Sequence, residues 1–250
     1  MRDESGPISS GEEIAILAGG CFWCLEAVYD QVLGVDSVES GYIGGHLDHP
    51  TYEAVCGGQT GHAEAVRITF DSRVITYKGL LEIFFSIHDP TTPNRQGNDK
   101  GTQYRSAIFF CDATQRHTAE TLIKGLTEEK LYDAPIVTQV VPAGRWYEAE
   151  TYHQEYFVRN PFQGYCQFVV GPNVAKFRKL FVHRLKTYAV SRSSTEQSNQ
   201  DLQHRPKDRR LLEYLMRFQQ HLGMHGAKRP FAGRVALDVG NDRSVCVGIE

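Results

Sequence analysis

No stretch of this 250-residue chain is apolar for the roughly 20 residues that a membrane-spanning helix needs. Charge is nearly balanced at −3 and no basic stripe runs along any segment, so the electrostatic footprint of a nucleic-acid binder is missing. The first residues, MRDESGPISSGEE, have neither the basic start nor the apolar run of a secretory signal, and a soluble, cytoplasmic protein is expected. The glycine-containing segment GGQTGHAEA lacks the lysine and the spacing of a phosphate-cradling loop. Cysteine is too sparse for a disulfide-stapled scaffold: the chain holds Cys21, Cys24, Cys56, Cys111, Cys166 and Cys246. In a reducing compartment such residues are buried hydrophobes, metal ligands or redox groups. No internal repeat is present.

What is there is an alternation of strand and helix patterns, which argues for a helix-backed sheet in one layered domain. EIAILAGG reads as a buried strand, CFWCLEAVYDQVLG as a helix with Leu25, Val28 and Val32 on one face, and VDSVESGYIGG as a strand entering a turn. HAEAVRITFD alternates as a strand and TYKGLLEIFFSIHD as an amphipathic helix. PTTPNRQGNDKGTQ reads as a long loop, and a loop of that length points to function. The remaining expectations are strands at YRSAIFF and PIVTQVVPAG, and helices at ATQRHTAETLIKGLTEEK, YEAETYHQEYFVRN and NVAKFRKLFVHRLK. Residues 1–13 are expected to be flexible, 14–188 to form the domain and 189–210 to be a polar linker. Residues 211–250 form an extension of unassigned role, with a short helix over 211–223 and strands at RVALDVG and SVCVGI.

The chemistry concentrates in GGCFWCLEAV, residues 19 to 28. Cys21 falls at the first turn of a helix, where the partial positive charge and unpaired N–H groups favour a thiolate. Cys24 follows one turn later, within reach for sulfur exchange. Cys111 reads as a core or strand-end residue. In HAEAVRITF, Glu64 shares the phase of Val66, Ile68 and Phe70, so its carboxyl points into the core unless the strand end bends into solvent. Burial raises a carboxyl pKa and makes a general acid available near neutrality. Tyr52, ahead of the helical turn YEAVCGG, and Tyr104, read as opening a strand after the long loop, each offer a phenolic donor; ordinary packing accounts for either alone. Cys21, Cys24, His46 and His49 look loosely like a zinc set, but the gap between the pairs is too long and Gly44 and Gly45 are not helical, so no metal is expected.

GGCFWC, GYIGG, PTYEAVCGGQTGHAEAV, HDPTTPNRQGNDKGTQYRSAIF and NPFQGYCQFVV, in this order, closely resemble the A-type methionine sulfoxide reductases, the peptide-methionine (S)-S-oxide reductases. The resemblance runs from about Ile14 to about Lys186. It implies an α/β (α+β) sandwich with a ferredoxin-like mixed-sheet core and no bound cofactor. It implies Cys21 as nucleophile, Phe22 and Trp23 as the apolar wall for the substrate methyl, and Glu64, Tyr52 and Tyr104 as donors to the sulfoxide oxygen. Asp99 matches a supporting acidic position in substrate binding. Cys24 and Cys166 are the candidate resolving thiols; Cys24 stands where many members have glycine. The implied substrates are oxidised proteins and free methionine sulfoxide, and the implied reductant is thioredoxin. The alternative from another class, a thioredoxin-like disulfide oxidoreductase, also uses Cys-x-x-Cys at a helix start but needs neither Glu64 nor the tyrosines.

Overall fold

In the computed structural model the first strand, β1 (Glu12–Gly19), ends at Gly20, whose φ of +95° is a conformation that favours glycine. The structure describes residues 11–186, the helical residues 210, 211, 213 and 214, and two strands in the extension. After β1 come α1 (Phe22–Tyr29), β2 (Val35–Ile43), the short α2 (Tyr52–Cys56), β3 (Ala63–Asp71) and α3 (Tyr77–Ile87). A two-residue hairpin, β4 (Arg95–Gln96) and β5 (Asp99–Lys100), precedes β6 (Ser106–Phe110), α4 (Ala113–Glu128), β7 (Gln139–Pro142) and β8 (Tyr147–Glu148). Then follow α5 (Tyr156–Arg159), one π-helical stretch (Cys166–Val170) and α6 (Gly171–Leu180).

Six strands pair in the order β7-β6-β1-β3-β2-β8. Only β6 and β7 run parallel; the other pairs are antiparallel, so the sheet is mixed. Period-2 alternation sends Ala63 and Ala65 to one face, where they join Ile16, Ala18, Ile43, Ala107 and Phe109 in a buried cluster. Glu64, Val66, Ile68 and Phe70 share the opposite phase, and α1 packs along β2 and β3. The helices are capped locally: Thr76 Oγ1 accepts from Gly79 N–H at 3.1 Å and Asp112 Oδ1 from Gln115 N–H at 2.8 Å.

Four sequence expectations are corrected. α1 ends at Tyr29, not Gly34, because Val32 leaves the helix to bridge Leu185, and Leu33 N–H bonds Arg184 O at 2.7 Å. The long loop carries the β4–β5 hairpin, and Tyr104 closes a 3-10 turn (Thr102–Tyr104) before β6 starts at Ser106. YEAETYHQEYFVRN is not one helix. It is β8, a 3-10 turn (Thr151–His153) and α5, broken at Glu155 with φ +54°. Side chains replace the missing helical bonds: Gln154 bonds both Ser40 N–H (2.9 Å) and Ser40 O (3.0 Å) at the edge of β2. The segment between the helices expected at YEAETYHQEYFVRN and NVAKFRKLFVHRLK is not merely a connection: it holds the π-helical stretch, in which Cys166 is fully buried.

By its contacts the chain forms two units, Met1–Leu212 and Glu213–Glu250. In the second, β9 (Val235–Leu237) and β10 (Val245–Val247) form an antiparallel pair where RVALDVG and SVCVGI read as strands. Of the linker 189–210 only Arg210 is among the described residues, and the N-terminal residues 1–10 lie outside them.

Candidate active site

Cys21 is the N-cap of α1, in extended conformation, directly after Gly20. A Cβ on Gly20 would come within 2.6 Å of the Gln96 side chain, so the glycine lets the hairpin close over the cysteine turn. Cys21 is 7% exposed and Glu64 1%. The Phe22 N–H, first of the helix, donates to Glu64 Oε2 at 3.2 Å. That bond joins the Cys21 turn to a carboxyl 42 residues away and fixes the strand phase: Glu64 points inward.

The electrostatics follow from burial. Desolvation pushes the Glu64 carboxyl up to about 8; the bond from Phe22 N–H opposes this and the negative charge of Asp99 adds to it. Glu64 is therefore largely a neutral acid at pH 7. Burial also pushes the Cys21 thiol well above the ordinary thiol range, with the Cys24 side chain and Glu64 pushing the same way and Tyr165 opposing. The expected low-pKa thiolate is thus corrected. Glu64 occupies the Phe22 N–H that opens the helix, and desolvation is the largest cause of the rise.

Tyr52 opens α2, beyond the Thr51 cap. Burial, with the neighbouring Cys56 and the charges of Glu64 and Tyr104, raises its phenol. Burial, then Glu64 and Cys21, does the same for Tyr104. Both therefore remain protonated, and the charge of Glu64 bears on each. The structure thus brings Cys21, Glu64, Tyr52 and Tyr104 together.

Phe22 is fully buried, its ring 5.9 Å from Tyr42 and 5.1 Å from His153. Trp23 stacks on Tyr156 with centroids 3.7 Å apart and planes 5° apart, meets Tyr165 edge-on at 5.7 Å, and donates its indole N–H to His153 Nδ1 at 3.2 Å. Asp99 Oδ2 accepts from Tyr165 O–H at 2.6 Å. Glu26, fully buried on α1, accepts from Glu155 N–H (3.0 Å) and Tyr156 N–H (3.3 Å) and so anchors the start of α5 under Trp23. Desolvation pushes Glu26 up to about 7. Sequence reading missed His153, Tyr156, Tyr165, Glu150 and Glu26. The available signal was the density of aromatic, histidine and carboxylate residues in YEAETYHQEYF, and the tyrosine beside Cys166.

A cavity of about 610 Å³ opens between the β4–β5 hairpin and the π-helical stretch. Its walls include Cys21, Cys24, Asp99, Tyr165 and Phe168, but not Glu64, Tyr52 or Tyr104. It gives access to the two sulfurs of the CFWC turn. Cys24 N–H bonds Cys21 O at 3.1 Å, and Cys166 lies where the charge of Cys24 bears on its thiol, which burial raises. Among the described residues no group of three or more His, Cys, Asp or Glu is arranged to hold a metal. His46 and His49 are exposed, away from the Cys21–Cys24 turn, which is buried.

Residues 13–185 match the family model described as peptide methionine sulfoxide reductase. The chain belongs to that family. The enzyme named peptide methionine sulfoxide reductase MsrA of Ralstonia nicotianae is 57% identical over 178 residues, covering 70% of this chain and 93% of that protein. The MsrA of Deinococcus radiodurans is 54% identical over 177 residues, covering 71% and 86%. Among solved structures, the methionine sulfoxide reductase A of Corynebacterium diphtheriae superposes with a TM-score of 0.59 at 33% identity, covering 62% of this chain and 78% of that one. Reduced Mxr1 of Saccharomyces cerevisiae gives 0.57 at 35% identity, covering 63% and 91%. The family's matched region coincides with the six-stranded sheet and the helices around it, and the residues after Leu185 lie beyond it.

Proposed function

We propose that this chain reduces methionine S-sulfoxide, free and within proteins, to methionine. The observation that carries the reading is the pairing of a buried, neutral Glu64 with a buried Cys21 one backbone bond away. A sulfoxide presents a methyl group and a polar S=O. The site offers the aromatic rings of Phe22 and Trp23 for the first, and Glu64, Tyr52 and Tyr104 as donors for the second.

The Cys21 sulfur attacks the sulfoxide sulfur. As charge builds on oxygen, Glu64 donates its proton there while the tyrosines hydrogen-bond to it. The thiol proton returns to the Glu64 carboxylate as the S–S bond forms; the hydroxyl then passes from the methionine sulfur to the Cys21 sulfur as that S–S bond breaks, so atoms balance: thiol plus sulfoxide gives cysteine sulfenic acid plus methionine. A second thiol then condenses with the sulfenic acid, forming a disulfide and releasing water. A dithiol reduces the disulfide, and the family resemblance supports thioredoxin in that role.

Cys24 is the first resolver in this account, being one helical turn from Cys21, and Cys166 beside it relays the disulfide outward. Asp99 holds Tyr165 over the thiols. The reading extends to work in the cytoplasm, in repair of proteins after oxidative stress; separately, no helix among the described residues is long and apolar enough to cross a membrane. A thioredoxin-like disulfide exchange would leave the buried Glu64 without a task. Incubating the protein with methionine S-sulfoxide and dithiothreitol tests the reading: methionine forms if it holds, and no methionine contradicts it.

A further inference from the structure

Glu150 is the point at which the two halves of the site meet. Its Oε1 accepts from Tyr52 N–H at 2.9 Å, at the first residue of α2. Its Oε2 accepts from Tyr42 O–H at 2.8 Å. Tyr42 is the direct cross-strand partner of Glu64 in the β2–β3 ladder, and its ring lies against Phe22. The same Oε2 is 3.8 Å from His153 Nε2.

His153 supplies the link to the apolar wall. Its Nδ1 accepts the indole N–H of Trp23, so in the neutral ring the proton sits on Nε2. Burial lowers the pKa of this histidine and keeps it neutral. Nε2 is buried and has no hydrogen-bond partner, and the group it faces is the Glu150 carboxylate. A fixed negative charge there favours the Nε2–H tautomer, the one that leaves Nδ1 free for Trp23. The His153 ring also packs on Tyr52, with centroids 4.4 Å apart. One carboxylate therefore sets the start of α2, which aims the Tyr52 phenol, and the tautomer that holds the Trp23 indole.

We propose that Glu150 is a positioning residue for sulfoxide reduction: it keeps the oxygen-binding Tyr52 and the methyl-facing Trp23 in register across the pocket. This rests on the functional reading above. Nothing in Glu150 needs to touch substrate. Its effect passes through a backbone N–H and a histidine ring, and small displacements of this kind are costly in rate.

The test compares Glu150→Ala and Glu150→Gln in single-turnover reduction of methionine S-sulfoxide, with the Trp23 indole N–H resonance as a second readout. That resonance is assigned by its loss in Trp23→Phe. The alanine variant is expected to slow methionine formation about 10- to 100-fold and to move the indole resonance. The glutamine variant recovers most of the rate, since its amide oxygen still accepts from Tyr52 N–H. In a Tyr52→Phe background the alanine substitution costs clearly less, because part of its effect passes through that phenol. A loss of less than about 2-fold, or an unmoved indole with an undiminished loss in the Tyr52→Phe background, overturns the proposal. Where the alanine variant does not fold, Glu150→Asp withdraws the oxygens by one methylene and is held to the same outcomes. If the parent itself leaves the sulfoxide unreduced, the functional reading fails, while the indole resonance still judges the positioning: unmoved in Glu150→Ala, it refutes it.

Discussion

The backbone N–H of Phe22 donates to Oε2 of Glu64, and this bond places the Glu64 carboxyl directly beside the Cys21 turn. It also removes one of the free N–H groups from the helix end that would otherwise stabilise a Cys21 thiolate. The resting site is thus a thiol beside a neutral acid, not an ion pair. In the proposed reaction, chemistry begins when a substrate oxygen arrives to take the Glu64 proton.

The rate should follow the protonated fraction of Glu64. Its carboxyl titrates at about 8, so the acid form dominates below that pH and is lost above it. Single-turnover reduction by the parent should fall on the alkaline side of about pH 8. Glu64→Gln should fold, run slower by about 10²–10⁴-fold, and lack that alkaline limb. A parent-like rate in Glu64→Gln would remove the carboxyl from proton transfer.

The raised Glu64 carboxyl also predicts a stability difference. Folding lifts its pKa from 4.5 to about 8. The folded state therefore holds a proton that the unfolded chain has lost between those values. Stability from this group is fully present below about 4.5 and drains away as pH rises through about 8, by about 1.4 kcal/mol for each tenfold difference in proton affinity between the two states. Melting curves of the parent and Glu64→Gln should lie closest near pH 4.5 and diverge upward, with the glutamine variant the more stable above pH 8. Glu26 also titrates near neutrality, at about 7, but it is common to both proteins and cancels in the difference. A constant offset across the range would refute the burial cost.

Resolution should pass through Cys24. Cys166 is fully buried, its charge neighbour is Cys24, and Tyr165 beside it is tied to Asp99. After one turnover without reductant, peptide mass mapping should find a Cys21–Cys24 disulfide, and Cys24→Ser should lose turnover with thioredoxin. A Cys21–Cys166 bond in Cys24→Ser, with undiminished multiple turnover, would assign the first step to Cys166 instead.

Chain after residue 190 should be dispensable. The sheet and every site residue lie before Leu185, and Arg184 closes the region by bonding Gly79 O and Glu82 Oε2, each at 3.0 Å. A truncation of residues 191–250 should keep its far-ultraviolet spectrum and its sulfoxide reduction. An insoluble or inactive product would show that the domain boundary is misplaced.

Much of this was legible because strand periodicity is simple. The phase of Val66, Ile68 and Phe70 pointed Glu64 into the core, with only a bend of the strand end into solvent left open, and α3 and α4 could be read as helices from apolar spacing. The segment from Tyr147 to Asn160 was not. Its pattern is helical, but Glu26, Gln154 and Glu150, through bonds spanning 98 to 130 residues to or from Tyr52, Ser40, Glu155 and Tyr156, outweigh local propensity. The Cys21 pKa was misread for a related reason. The helix macrodipole can be seen in a ten-residue window, whereas desolvation and the Glu64 charge come from the assembled fold.

The most direct test of the central claim is a sulfenic-acid trap at Cys21. Cys24→Ser/Cys166→Ser protein, lacking both candidate resolving thiols, is given a stoichiometric amount of methionine S-sulfoxide with a sulfenic-acid-specific reagent. The account predicts methionine formation and an adduct on the peptide bearing Cys21, in matching amounts, with neither seen when Cys21→Ser is added. Methionine produced by the Cys21→Ser protein, or an adduct on another cysteine, would contradict it.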